Sequence, residues 1–253
     1  MSLTQHLLEL RKRLFIAALG VLAGAVLGFF LFEPAWGYLQ SPMRVVAKLR
    51  TTGDAQINYT SISGAFDVRM QVAITIGLVV SSPLWLYQIF AFLVPGLNRR
   101  EKRYVLGFFF TAIPLFLAGC ATGFFVMPQI VELMTSFVPV GDASLIDAKN
   151  YLDFVLKLVL ATGVAFVLPV FLVLLNFIGV LQGATILRSW RWAILAIALF
   201  TALATPAADV LSMFLLAIPM VGLYFAAVGV TIAHDRAVEK RRAAFDAELA
   251  AGA

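Results

Sequence analysis

Cysteine, histidine and charge are all scarce in this chain. The single cysteine, Cys120, lies inside an apolar run, so no intrachain disulfide can form. The two histidines, His6 and His234, stand at opposite ends of the sequence, which argues against a histidine-based metal site. No histidine falls within an apolar run to act as a base, and neither H-E-x-x-H nor G-x-S-x-G occurs. A phosphate-binding Walker A loop is missing too, so the chain hydrolyses no nucleotide and any transport draws on a gradient or a partner. Charged residues make up 13% of the 253, against roughly 25% in a soluble domain. No basic soluble module is present, which excludes nucleic acid as a partner.

Apolar residues fill the gap. They account for 62% of the chain, and the mean hydropathy is +0.95. A water-soluble fold of this length has no interior large enough to hide so much apolar surface. Long uncharged runs, rather than alternating segments of about ten residues, exclude a transmembrane barrel. The expected class is an all-α membrane protein. Spans are expected at about 14–32, 70–94, 104–130, 151–178, 192–208 and 210–232. These six form one domain over 1–232, followed by a charged tail at 233–253, helical or disordered. The first apolar run is too long for the h-region of a cleavable signal, and no small-residue cleavage site follows it.

Orientation follows from the basic residues. Arg11, Lys12, Arg13, Arg99, Arg100, Lys102, Arg103, Arg188, Arg191, Arg236, Lys240, Arg241 and Arg242 fall on one side, thirteen of the 19 Lys and Arg residues. The richer side is cytoplasmic, which puts both termini inside.

Polar residues within or beside the spans are few. Leu3, Leu7, Leu10 and Leu14 share a helical face, so the N-terminus reads as a short amphipathic helix along the interface. Glu9 and Arg13 are one turn apart on it and able to pair. Residues 35–49 have the character of a second interfacial helix. Ser81-Ser82-Pro83 allows a kink in the second span. Asp153 and Lys157 form an i, i+4 pair, and Asp209 stands where it would cap the last span. Gln88, Thr162, Asn176 and Thr201 read as interhelical hydrogen-bonding groups. The loop after the second span begins with the turn signal Pro95-Gly96 and carries Arg99, Arg100, Lys102 and Arg103 around one carboxylate, Glu101. Two readings of Glu101 stand side by side: an incidental residue of a positive-inside loop, or a carboxylate held to receive a cationic ligand.

Several motifs bear on that choice. His6-Leu7-Leu8-Glu9-Leu10-Arg11-Lys12-Arg13-Leu14 resembles the N-terminal signature of the TatC family, the multispanning receptor subunits of the twin-arginine protein translocase. Ser41-Pro42, Ser82-Pro83, Tyr87-Gln88, Ala91-Phe92, Pro95-Gly96-Leu97 and Glu101 resemble further family elements. Thr205-Pro206, Asp209 and Leu216-Ala217-Ile218-Pro219-Met220 resemble its closing hairpin. The resemblance runs in the family's order from about residue 3 to 232.

It implies a glove-shaped fold of six transmembrane helices. It also implies a receptor that binds twin-arginine signal peptides at its cytoplasmic face. The implied partners are single-span subunits of the TatA/TatB type, the bilayer and further copies of the chain. Folded cargo would cross the bacterial plasma membrane on the protonmotive force, with no cofactor, no metal and no catalysis. Glu9 and Glu101 would receive the two arginines, with Phe92 and Arg13 beside them. Arg suits this role because its planar fork pairs bidentately with carboxylate. Pro42, Pro95, Asp209 and Gln88 are implied as structural or functional positions. One departure stands out: where the family often carries a Glu in span four, this chain has Val167. The polar partner contact is then absent, or supplied by Thr162, Gln88 or another group.

Overall fold

The computed structural model describes residues 3–41, 56–93, 99–136, 145–204 and 210–251, with backbone alone at 3–4, 56–57, 93, 99–105, 134–135, 145, 211–212, 249 and 251. Helix α1, Leu3–Phe30, is one uninterrupted rod of 28 residues. The expected interfacial helix is therefore not a separate element. No Gly or Pro occurs before Gly20 to break it, so the amphipathic turns run straight into the apolar ones. Leu7, Leu8, Leu10 and Leu14 remain exposed on this rod.

Helix α2, Phe32–Leu39, follows after a single turn residue and buries Phe32, Trp36 and Leu39. It is anchored by the Tyr151 hydroxyl, which donates to the Leu39 carbonyl at 2.6 Å. Of the interfacial helix expected over 35–49, only the part to Ser41 lies within the described residues.

Helices α3, Gly64–Val80, and α4, Ser82–Leu93, are two halves of one apolar run, bent by 56° at the break. The bend falls at Ser81, just before Pro83, whose nitrogen has no hydrogen to donate. The Trp85 indole N–H donates to the Leu78 carbonyl at 2.9 Å and bridges the break. Near the start of α3, the Arg69 guanidinium lies over Phe29, 4.3 Å from the ring centroid, and over Phe32 at 5.1 Å. These contacts let a cation sit against aromatic faces instead of bare hydrocarbon.

The α1–α3 seam is close because it is built from small residues. A Cβ on Gly77 would lie 2.5 Å from the Ala25 nitrogen, and one on Gly24 2.7 Å from the Gly77 carbonyl oxygen. Backbones approach to this distance only where side chains are absent.

Helix α5, Arg99–Ser136, and helix α6, Ala148–Phe177, form the most extensive packed pair. The same device joins them, with Gly119 against the Thr162 carbonyl and Gly163 against Cys120 and Phe116. Two short strands, β1 (Gln56–Asn58) and β2 (Leu145–Asp147), pair in parallel, with Ile57 opposite Ile146. They fasten the chain before α3 to the chain before α6. Helix α7, Gly183–Arg188, and helix α8, Trp190–Ala204, lead to helix α9, Val210–Ala251, which carries the charged tail as continuous helix.

By length and composition, Gln5–Phe30, Leu106–Leu133, Ala148–Phe177 and Met213–Glu248 are each able to cross a membrane. The bent α3–α4 pair supplies a fifth crossing if its halves count as one, and Trp190–Ala204 is a shorter apolar helix. The core falls into patches between the helices. One gathers Phe32, Trp36, Val72, Met127, Ile130 and Leu152. Another gathers Leu86, Phe90, Phe116, Val167 and Leu174.

Candidate functional site

A polar cluster forms where the first turns of α1 meet the far half of α4. The Arg13 guanidinium donates twice to one oxygen of Glu9, from Nη2 at 2.6 Å and Nε at 3.1 Å to Oε1. Its remaining nitrogen, Nη1, reaches the Gln88 side-chain oxygen at 3.4 Å and so links α1 to α4. Glu9 and Arg13 are both largely shielded, with side chains 22% and 23% exposed. The second Glu9 oxygen, Oε2, is buried and has no hydrogen-bond partner among the described residues. One turn earlier, the His6 ring stacks on Phe92, with centroids 4.3 Å apart and planes 25° from parallel.

His6, Glu9 and Arg13 occupy one face of α1 because they are three and four residues apart. Gln88 and Phe92, four apart, occupy one face of α4 for the same reason. Below the cluster, a groove of about 380 Å³ runs between the two helices, floored by Ala17, Val21, Leu78 and Trp85. Arg13 and Gln88 are its polar lining residues. The arrangement offers an acceptor for a cation at the mouth and apolar surface beneath.

Glu9, Arg13, Gln88 and Phe92 come together. Glu101 lies in the first turn of α5, where only backbone is described. Residues 94–98 link Leu93 to Arg99, so α5 starts no more than about 22 Å from the end of α4. Pro42, Pro95 and Asp209 lie outside the described residues. Asp153 and Lys157 pair at 3.8 Å, and Gln71 also donates to Asp153 across from α3.

Val167 is buried, 4% exposed, in the apolar patch with Phe116 and Leu174. Neither substitute considered for its missing carboxylate is placed to replace it. The Thr162 hydroxyl is fully buried and donates within its own helix to the Leu158 carbonyl at 2.9 Å. Gln88 is bonded to Arg13.

Two features escape the sequence reading. One is His6, whose position one turn before Glu9 was the available signal. The other is a polar knot at the ends of α6 and α7. There Asp235 of α9 accepts from the Gly183 backbone N–H at 2.7 Å and from the Asn176 side-chain amide at 2.9 Å. His234 stacks on Phe177 beside it, with centroids 3.8 Å apart.

Comparison with known proteins bears directly on this architecture. Residues 5–219 match the family model described as Sec-independent protein translocase protein (TatC). The chain belongs to the TatC family. It is 44% identical over 243 residues to the Sec-independent protein translocase protein TatC of Xylanimonas cellulosilytica, covering 96% of this chain and 88% of that one. With the TatCy protein of Bacillus subtilis it shares 32% identity over 254 residues, covering 100% and 96% of the two chains. Its fold superposes on a crystal structure of the twin-arginine translocase receptor TatC with a TM-score of 0.75 at 27% identity. That match covers 89% of this chain and 99% of that one. The protein is thus a multi-pass membrane component of the Tat translocase, with the all-α, glove-shaped TatC fold. Its family acts in protein transport and is not a catalytic one.

Proposed function

We propose that this TatC protein is the signal-peptide receptor of its translocase, seated in a bacterial plasma membrane with six spans and both termini in the cytoplasm. Glu9 and Glu101 each take one arginine of a twin-arginine signal peptide, with Phe92 and Arg13 shaping the site. Single-span subunits of the TatA/TatB type then join, and folded cargo crosses on the protonmotive force.

The observation that carries this reading is the Glu9–Arg13–Gln88 cluster. A shielded carboxylate there already holds one guanidinium through two nitrogens on one oxygen, and its second oxygen has no partner among the described residues. The basic residues concentrated at the ends of α1, α5 and α9 support the cytoplasmic assignment of this face. In this reading Glu101, five residues of link and the first turn of α5 beyond α4, joins Phe92 at the site.

Partner docking differs from that of relatives with a Glu in span four. With Val167 buried in the core and the Thr162 hydroxyl bonded within its own helix, neither offers a polar contact to a single-span partner.

The test is binding of a twin-arginine peptide, and of its twin-lysine counterpart, to the purified protein at fixed salt. Tight binding of the arginine peptide, weakened about tenfold or more by Glu101→Gln, is expected. Equal binding of both peptides would refute the reading. For topology, single cysteines at positions 98 and 245, in a Cys120→Ala background, should label only from the cytoplasmic side, and one at position 142 only from outside.

A further inference from the structure

Arg69 carries a positive charge that no described residue neutralises. Its guanidinium lies 4.3 Å from the centroid of the Phe29 ring and 5.1 Å from that of Phe32, and its Nε is buried with no hydrogen-bond partner among the described residues. Two carboxylates stand close to these residues in sequence, and neither takes the charge. Asp67 pairs with Lys149 and accepts from the Ser63 hydroxyl. Glu33, exposed on the first turn of α2, forms no ion pair among the described residues. The stretch between α2 and β1 adds Arg44, Lys48 and Arg50 against one acid, Asp54. The aromatic faces ease the burial of a guanidinium, but they leave its charge uncancelled and its Nη donors in want of an acceptor.

Its level in the membrane follows from α1. Between Arg13 and Glu33 lie 19 uncharged residues, about 28 Å as helix and close to the hydrocarbon thickness of about 30 Å. Arg13 marks one edge of that layer, and Phe29 and Phe32 lie at the other. Arg69 is thereby held level with the lipid phosphates, on the outer side in the orientation proposed above. The surface beneath it faces the tails. Leu22, Val26 and Phe29 recur at i, i+4 and i+7 on one face of α1, and all three are exposed.

We propose that Arg69, on its platform of Phe29 and Phe32, binds the phosphate of an anionic phospholipid of the outer leaflet, whose acyl chain lies along Leu22, Val26 and Phe29. The two Nη atoms of arginine form a planar fork that pairs with phosphate through parallel hydrogen bonds, and the rings already hold that plane in place. One ligand then meets both features of the site, a cation for its head and an apolar track for its tail. A soluble phosphate gains nothing from the track. Phosphatidylglycerol brings an uncompensated negative charge, whereas the choline of phosphatidylcholine offsets its own phosphate. The leaflet rests on the topology proposed above, which the cysteine labelling at positions 98, 142 and 245 tests separately.

The experiment uses the full chain in nanodiscs of phosphatidylcholine and phosphatidylglycerol, with a photoreactive residue at Val26 or, as the control, at Phe125, an exposed position on α5. Adducts at Val26 should carry phosphatidylglycerol about fivefold above its share of the bilayer, and those at Phe125 its share alone. Arg69→Gln should return Val26 to the bilayer composition. Excess inorganic phosphate should leave the enrichment unchanged, and its loss there would assign Arg69 to a free anion and overturn the lipid site. Equal composition at Val26 and Phe125 would also overturn it, as would enrichment that survives Arg69→Gln. Should Arg69→Gln fail to fold, phosphatidylglycerol with a photoreactive headgroup decides on the chain with Arg69 intact. Adducts mapping to residues 29–32 or 66–70 support the site, and adducts found only elsewhere overturn it.

Discussion

Arg13 and Glu9 stand one helical turn apart, and two guanidinium nitrogens converge on one carboxylate oxygen while the other oxygen has no partner among the described residues. The pair is an internal copy of the contact proposed for the ligand. Binding at Glu9 therefore competes with, or builds on, a contact already made. A guanidinium displaced from Glu9 still has the Gln88 oxygen close by.

Glu9→Gln should weaken twin-arginine peptide binding less than Glu101→Gln, because part of what Glu9 offers is already taken up by Arg13. A charge-assisted hydrogen bond is worth about 1.5–3 kcal/mol, so the Glu101 effect should reach about tenfold or more and the Glu9 effect should be smaller. Both variants should be recovered in normal amounts. Titration of each with the same peptide checks the order, and a larger loss at Glu9 would contradict it.

Gly77→Val should destabilise the protein by about 1–3 kcal/mol through overpacking. Even the first added carbon would lie 2.5 Å from a backbone nitrogen of α1, which has no flexible end to move aside. Thermal melting in detergent should show a clear fall. Val230→Ala, at an exposed position on α9, serves as the control that should not melt earlier.

Asp147 supplies a pH dependence at the far end of the molecule. The Thr60 hydroxyl donates to its Oδ2 at 2.5 Å, and the Asn150 N–H donates to its Oδ1 at 2.9 Å. These hydrogen bonds, the Thr60 one foremost, hold its carboxyl below the usual value of 3.8. A depressed folded value means that the stabilisation is present above the unfolded value and is lost as pH falls through the folded one. The tie between the start of α6 and Thr60 should accordingly loosen only in acid below about pH 4. Amide exchange at Asn150, followed against pH, reads this directly. Asp147→Asn should flatten the profile while keeping the cap, since Asn also accepts from the first turn.

Asp235→Ala should leave the Gly183 N–H and the Asn176 amide short of an acceptor. The expected cost is about 1–3 kcal/mol, together with faster exchange in α7. Asp235→Asn retains an acceptor oxygen and should cost less. Equal melting temperatures for both variants and the wild type would show that the knot contributes nothing.

What the sequence revealed and what it hid follow from the range of each interaction. The Glu9–Arg13 and Asp153–Lys157 pairs were legible because helical spacing alone brings i and i+4 together. The bend at Ser81 was legible because Pro83 cannot continue the hydrogen-bond ladder. The Arg13–Gln88 and Gln71–Asp153 contacts join residues 75 and 82 positions apart, and no periodicity encodes them. The three-residue strands are too short for alternation to register. The unbroken α1 was misjudged because a change from amphipathic to wholly apolar composition resembles a boundary, although nothing in the backbone requires one. Thr162 looked available as a polar group, but its hydroxyl satisfies the carbonyls of its own helix.

The parallel pairing of β1 with β2 joins the Thr60–Asp147 bond, the Asp67–Lys149 ion pair and the Gln71–Asp153 bond. All four fasten the start of α3 to the start of α6, and none lies on the α4 side of Ser81. The two halves of the bent run are therefore held by different means: polar ties fix the start of α3 to α6, whereas α4 is held by the apolar packing of Leu86 and Phe90 and by the Arg13–Gln88 contact.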